Sequence, residues 1–107
     1  MNDELLQISM DIILSAGDCR NKCAEALKKA KTGDLTAADN ILKEARKDII
    51  KAHQAQTEVI QATVAGEKPL EYSLIFSHAQ DTMMTIMSEY NLTKELLDVY
   101  RILFKED

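Results

Sequence analysis

His78 and Asp81 stand three residues apart in the segment Ser77-His78-Ala79-Gln80-Asp81. On a helix that spacing makes them neighbours on one face. A carboxylate there can orient an imidazole or raise its basicity, and a neutral imidazole, with an unperturbed pKa of about 6.5, is a competent nucleophile near neutral pH. Asp81 has a second reading, in which it faces a symmetry axis where copies of the chain meet. Carboxylates brought together cannot all stay charged without a cation or shared protons, and a polar residue at such a position can set the register of an assembly. A third reading leaves His78 and Asp81 as a surface pair on a solvated strip. The other histidine, His53, lies in Ala52-His53-Gln54-Ala55-Gln56-Thr57. Alone it reads as a boundary residue, although the polar Gln56 and Thr57 leave open that this patch faces His78 across the helices. Cys19 and Cys23 share a helical face and read as small buried residues. A disulfide within one helix is awkward, and a metal site would need two more soft ligands. No second His or Cys is spaced for a triad. With three Gly and no G-x-x-x-x-G-K run, there is no phosphate-cradling nucleotide loop.

The element that carries His78 is a long helix, expected from Pro69 to near Lys105 with a kink or restart at Asn91. Phe76, Ala79, Met83, Ile86, Tyr90 and Leu97 form its apolar row. A second row, Leu74, His78, Asp81, Thr85, Ser88 and Leu92, also steps by four and three, but its middle is polar. A local failure of an otherwise consistent pattern marks a functional or strained place. Two further helices are expected. The first covers residues 3 to 31, with a stripe at Leu5, Ile8, Ile12, Ala16, Cys19, Cys23, Ala26 and Ala30. The second runs from about Leu35 to Ala65, with a stripe from Leu35 and Ala38 through Leu42, Ala45, Ile49 and Ala52 to Gln56 and Val59. Gly33 and Asp34 supply a helix end and the next N-cap, Gly66 ends the second helix, and Pro69 suits the first position of the third. Breaks this short make antiparallel neighbours. The expected architecture is a single all-α domain over residues 1–107, an up-down-up three-helix bundle with helices about 45 Å long. Additional apolar rows, such as Leu6, Ile13, Gly17, Ala24 and Leu27, ask for cover that one thin bundle lacks, so a homo-oligomer is expected.

Composition agrees. Of 107 residues, 46% are hydrophobic, only 5% are aromatic, and there is one Pro and no Trp, which argues for helices and against a turn-rich sandwich or barrel. The 13 basic and 18 acidic side chains leave a net charge of -5, so no nucleic-acid partner is expected, for lack of a basic footprint. The acidic opening Met1-Asn2-Asp3-Glu4 has no apolar region after it and no run reaches membrane-spanning length. The chain reads as cytoplasmic and reduced.

Ser77-His78-Ala79-Gln80-Asp81-Thr82-Met83-Met84-Thr85 resembles the signature of enzyme IIA of the lactose/cellobiose-type sugar phosphotransferase system, and Ala52-His53-Gln54-Ala55-Gln56-Thr57 resembles that family's A-H-x-x-Q-T segment. The spacing between the segments, the Gly66 break and the length match as well. The resemblance implies a homotrimer of three-helix subunits that takes a phosphoryl group from the phosphocarrier HPr on one histidine and hands it to a cysteine of the IIB component. It implies His78 as the phosphorylated residue, Asp81 as the aspartate gathered around a divalent cation such as Mg²⁺ on the trimer axis, and Gln80 as an amide beside the phosphoryl group. It implies contact with the membrane only indirectly, through the permease. Where the family usually continues H-A-Q-D-H, this chain has Thr82, which hydrogen-bonds but carries no charge; Thr82 and His53 are the further candidates for supporting the phosphoryl group. The alternatives are a histidine-phosphotransfer domain of a two-component pathway, usually a four-helix bundle, and a non-enzymatic helical adaptor.

Overall fold

A computed structural model describes residues 3–69 and 72–105. Three helices follow one another: α1 (Asp3–Lys31), α2 (Leu35–Val64) and α3 (Leu74–Leu103). There is no strand among the described residues. The molecule is a rod, 59 × 20 × 17 Å, as expected of helices of 29, 30 and 30 residues laid side by side at 1.5 Å per residue.

The α1–α2 turn forms where the residues demand it. Gly33 takes φ +86°, a left-handed conformation that glycine adopts without a Cβ penalty. Its N–H donates to the Ala30 carbonyl and that of Asp34 to Lys29, which is the Schellman pattern. The Asp34 side chain then accepts from the Ala37 N–H and caps α2. Gly66, at φ +77°, closes α2 in the same way, with bonds from Gly66 to Thr63 and from Glu67 to Ala62.

The start of α3 departs from expectation. Pro69 lies outside the helix, and Ser73 is the N-cap, its hydroxyl accepting from the Phe76 N–H 3.1 Å away. A cap that satisfies an orphan donor, placed one turn before apolar residues that reach the core, outweighs the local suitability of proline for a first turn. Asn91 interrupts nothing: α3 is continuous through it.

The core is the three expected stripes brought together. Ile12, Ala16, Cys19 and Ala26 of α1, Ala38, Ala45 and Ile49 of α2, and Ala79, Met83, Ile86 and Leu97 of α3 are all buried. The gap in the α3 row is filled by Thr93, whose hydroxyl donates to the Glu89 carbonyl, so this polar residue is buried without an orphaned group. Alanines along the α1–α2 seam let those helices approach closely. Part of the second α1 row is used within the bundle, since Ile13 and Leu27 pack against the core, while Leu6 stays exposed. Ion pairs join each pair of helices, Arg20 to Glu89, Lys22 to Asp48 and Arg101 to Asp39. Partly exposed pairs like these contribute about 0–1 kcal/mol each and act mainly on register. The core dominates stability. Ile86, 1% exposed, should lose about 2–5 kcal/mol on Ile86→Ala, read as a lower midpoint of urea unfolding at unchanged slope.

Candidate functional site

The residues singled out on α3 lie on its outward face. His78, Asp81, Thr85 and Ser88 are exposed, and the ends of their row, Leu74 and Leu92, are 72% and 61% exposed. The row continues beyond Leu92 through Leu96, Val99 and Leu103, all exposed as well. That continuation beyond Leu92 is legible in the sequence as the same stepping by three and four. In a single chain this face packs on nothing. It is a helix-long strip, apolar towards its C-terminal end, with one histidine and one carboxylate near its N-terminal end.

His78 and Asp81 make no hydrogen bond or ion pair among the described residues. The imidazole therefore stands open to an approaching group. Thr82, half-buried, follows His78 by one turn, so its hydroxyl belongs to the same surface. Gln80 does not. Two helical residues are separated by about 200° of rotation, and Gln80 lines a different surface. This is a groove of about 910 Å³ at the end of the bundle, walled by Ile8 of α1, Val59 and Thr63 of α2, and Phe76, Ser77 and Gln80 of α3. The groove draws on three helices far apart in sequence, so no local signal could have found it.

His53 is exposed on α2, and no hydrogen bond joins it to His78. The antiparallel pairing of α2 with α3 explains why. Asp39 pairs with Arg101 at one end, and Val59 shares the groove with Ser77 and Gln80 at the other. His78 is therefore about level with Ala62, and His53 lies about 13 Å farther along the bundle at 1.5 Å per residue. Gln56 is buried and serves the interior rather than an exposed site.

The cysteines are structural. Cys19 and Cys23 are free and buried. The hydrogen bond to Cys23, reinforced by burial, pushes the Cys19 thiol well above its usual range, so it is not a thiolate nucleophile. Among the described residues no three His, Cys, Asp or Glu side chains are grouped to hold a metal ion. Asp81 is the only carboxylate of its row. One exposed carboxylate does not enclose a hard cation that takes six or more oxygens, so a metal at Asp81 requires carboxylates or waters from outside a single chain. No helix of the structure is long and apolar enough to cross a membrane.

Similarity to known proteins identifies the family. Residues 7–101 match the family described as PTS system, Lactose/Cellobiose specific IIA subunit. The lichenan-specific phosphotransferase enzyme IIA component of Bacillus subtilis is 40% identical over 100 residues, spanning 94% of this chain and 90% of that protein. The N,N'-diacetylchitobiose-specific EIIA component of Escherichia coli K12 is 37% identical over 98 residues, spanning 92% and 84%. Among solved structures, the cellobiose-specific enzyme IIA of Bacillus anthracis superposes with a TM-score of 0.86 at 38% identity, covering 96% of this chain and 94% of that one. A IIA(chitobiose) chain solved in complex with HPr from Escherichia coli gives 0.82 at 35% identity, covering 94% and 97%. A family match over residues 7–101, with similarity in sequence and fold to IIA components over nearly the whole chain, makes this chain a member of the lactose/cellobiose-specific IIA family of the phosphotransferase system.

Proposed function

We propose that the chain is a phosphohistidine carrier that accepts a phosphoryl group from phospho-HPr on His78 and passes it to a cysteine of a IIB component. The observation that carries this reading is the free, exposed His78 imidazole on a helix of the IIA fold. Phosphoryl transfer through a loose transition state asks mainly for in-line positioning and charge stabilisation. A nucleophile on a rigid, convex helix suits a carrier that two different proteins must reach in turn. Phosphorus bonds to a ring nitrogen of His78 as its bond to the donor breaks, and the reverse exchange delivers it to the IIB thiolate. The Thr82 hydroxyl, one turn from His78, donates to a phosphoryl oxygen. Gln80 faces away from His78 within its own chain, so its amide reaches a phosphoryl group only if it comes from a neighbouring copy. His53 lies too far along the bundle to act within the same chain, and the same condition applies to it. Support for HPr as donor comes from the complex formed by the chitobiose relative.

The same reading makes the chain a homotrimer working in the cytoplasm, with the outward strip of α3 turned to the axis from Asp81 onward and His78 left accessible in a groove between subunits. Leu92, Leu96, Val99 and Leu103 would then be covered by their counterparts, as the exposure of so much apolar surface requires. Three Asp81 carboxylates would ring the axis near the His78 level. They have the hard-oxygen chemistry that suits Mg²⁺, which would neutralise their mutual repulsion. The test is to incubate the chain with phosphoenolpyruvate, enzyme I and HPr and assay acid-labile phosphate, then add IIB and follow its departure. Label that appears with HPr and leaves with IIB supports the reading. No label with HPr, or label only from a response regulator, overturns it.

A further inference from the structure

The end of the rod that carries His78 is acidic, and the remainder is not. Residues 3–12, 54–69 and 72–82 hold six carboxylates, Asp3, Glu4, Asp11, Glu58, Glu67 and Asp81, against the single lysine Lys68, which is itself 3.5 Å from Glu4. Residues 13–53 and 83–105 hold twelve cations against nine carboxylates. The net charge of -5 is therefore concentrated at one end of the molecule. A field of one sign at one end draws a cationic surface towards it.

The apolar groove of about 910 Å³ opens at this same end. Ile8, Val59 and Phe76 wall it, and Glu58, exposed and without an ion-pair partner among the described residues, stands at its edge. Tyr72 and Val64, at 85% and 83% the most exposed large hydrophobic residues among those described, both line it. Contiguous apolar surface rimmed by charge marks an interaction site. Two of the groove's hydroxyls are already used, Thr63 donating to the Val59 carbonyl and Ser73 accepting from the Phe76 N–H, so its walls offer mainly apolar contact. The lining runs along residues 58–64 of α2 and 73–80 of α3, about 10 Å at 1.5 Å per residue, which is two turns of a helix.

We propose that this groove docks a basic amphipathic helix of a partner protein, its apolar face on Val64, Tyr72 and Phe76 and its lysines or arginines towards Glu58 and the surrounding carboxylates. A helix laid by its apolar face into a hydrophobic groove is a general recognition mode. The apolar contacts supply most of the affinity, and the opposite charges supply approach and orientation. A second copy of this chain seated by the same acidic end would set carboxylates against carboxylates, which the charge distribution opposes. The groove also lies off the strip assigned to the axis, because Phe76 and Gln80 are turned about 100–140° from Asp81 at 100° per residue. They are about 200° from His78, so an occupant leaves that imidazole open, and docking is measurable whether or not His78 carries phosphate.

The test is an NMR titration of the intact protein with amphipathic peptides of about 18 residues, five helical turns, that share a leucine face and carry lysine, glutamine or glutamate on the other. The expected result is saturable shifts around Val59, Val64 and Phe76, tightest for the lysine peptide, about two- to fivefold weaker for the glutamine peptide and absent for the glutamate peptide. Val64→Asp should weaken the lysine peptide by about tenfold or more and Tyr72→Ser by about three- to tenfold. Both side chains are more than 80% exposed, so the circular dichroism spectrum of each variant should not change. Leu14→Asp, at an apolar residue of α1 that is 61% exposed and outside the groove, should bind as the parent does. No saturable shift with the lysine peptide overturns the proposal, as does equal binding of the glutamate peptide or an equal loss in Leu14→Asp. A fall in molar mass of Val64→Asp by sedimentation equilibrium overturns it too, because the occupant would then be a second copy of the chain.

Discussion

His78→Ala is expected to take up no phosphate from phospho-HPr while remaining as folded as the parent. The imidazole is exposed and bonded to nothing among the described residues, so its removal should change unfolding free energy by no more than about 0.5 kcal/mol. Its removal also deletes the one imidazole on the α3 face, and neither the hydroxyls and Asp81 carboxylate left on that face nor the buried thiols of Cys19 and Cys23 can form a phosphohistidine. The loss should therefore be complete within detection. The measurement is acid-labile label incorporated with enzyme I and HPr, beside a thermal melt. His53→Ala is the paired control and should still be labelled. Label retained in His78→Ala, or lost only in His53→Ala, would move the phosphorylated residue.

Leu92→Asp should release single subunits from the assembly, seen as a threefold fall in molar mass by sedimentation equilibrium. Leu92 is 61% exposed in the single chain, so the substitution costs the bundle little. At an axis it places three carboxylates in an apolar layer, where an unpaired charge is strongly unfavourable. Asp81→Leu should do the reverse. It removes three like charges from the same axis, so assembly persists and any dependence on divalent cations disappears. A chain that is monomeric without substitution, or an Asp81→Leu protein that still requires a cation to assemble, would remove the axis role of this strip. The two variants also separate assembly from chemistry, because Leu92→Asp leaves His78 untouched within its own chain.

Helix breaks were the most legible part of this molecule because their causes are local. Gly33, Asp34 and Gly66 act through their own backbone angles and nearest donors, and the structure uses them as the residue types demand. The beginning of α3 was less legible. Pro69 and Ser73 are both acceptable starts by local chemistry, and the choice turns on where Phe76 must stand to reach the core. The two rows of α3 were both visible as periodicity, and the apolar one faces inward as expected; what periodicity does not give is what the polar row faces.

The sequence alone determined three helices, their order, the buried stripe of each, and His78 with Asp81 as neighbours, since these follow from the 3.6-residue period and from side-chain type. The family resemblance carried by Ser77 to Thr85 added the chemistry. Only the tertiary structure decided which surfaces these residues occupy. It put His78 and Asp81 on the outer face of α3, turned Gln80 into a separate groove and moved His53 out of reach. The physical reason is that a helix fixes angles around its own axis, whereas level and facing between helices come from packing contacts between residues distant in the chain.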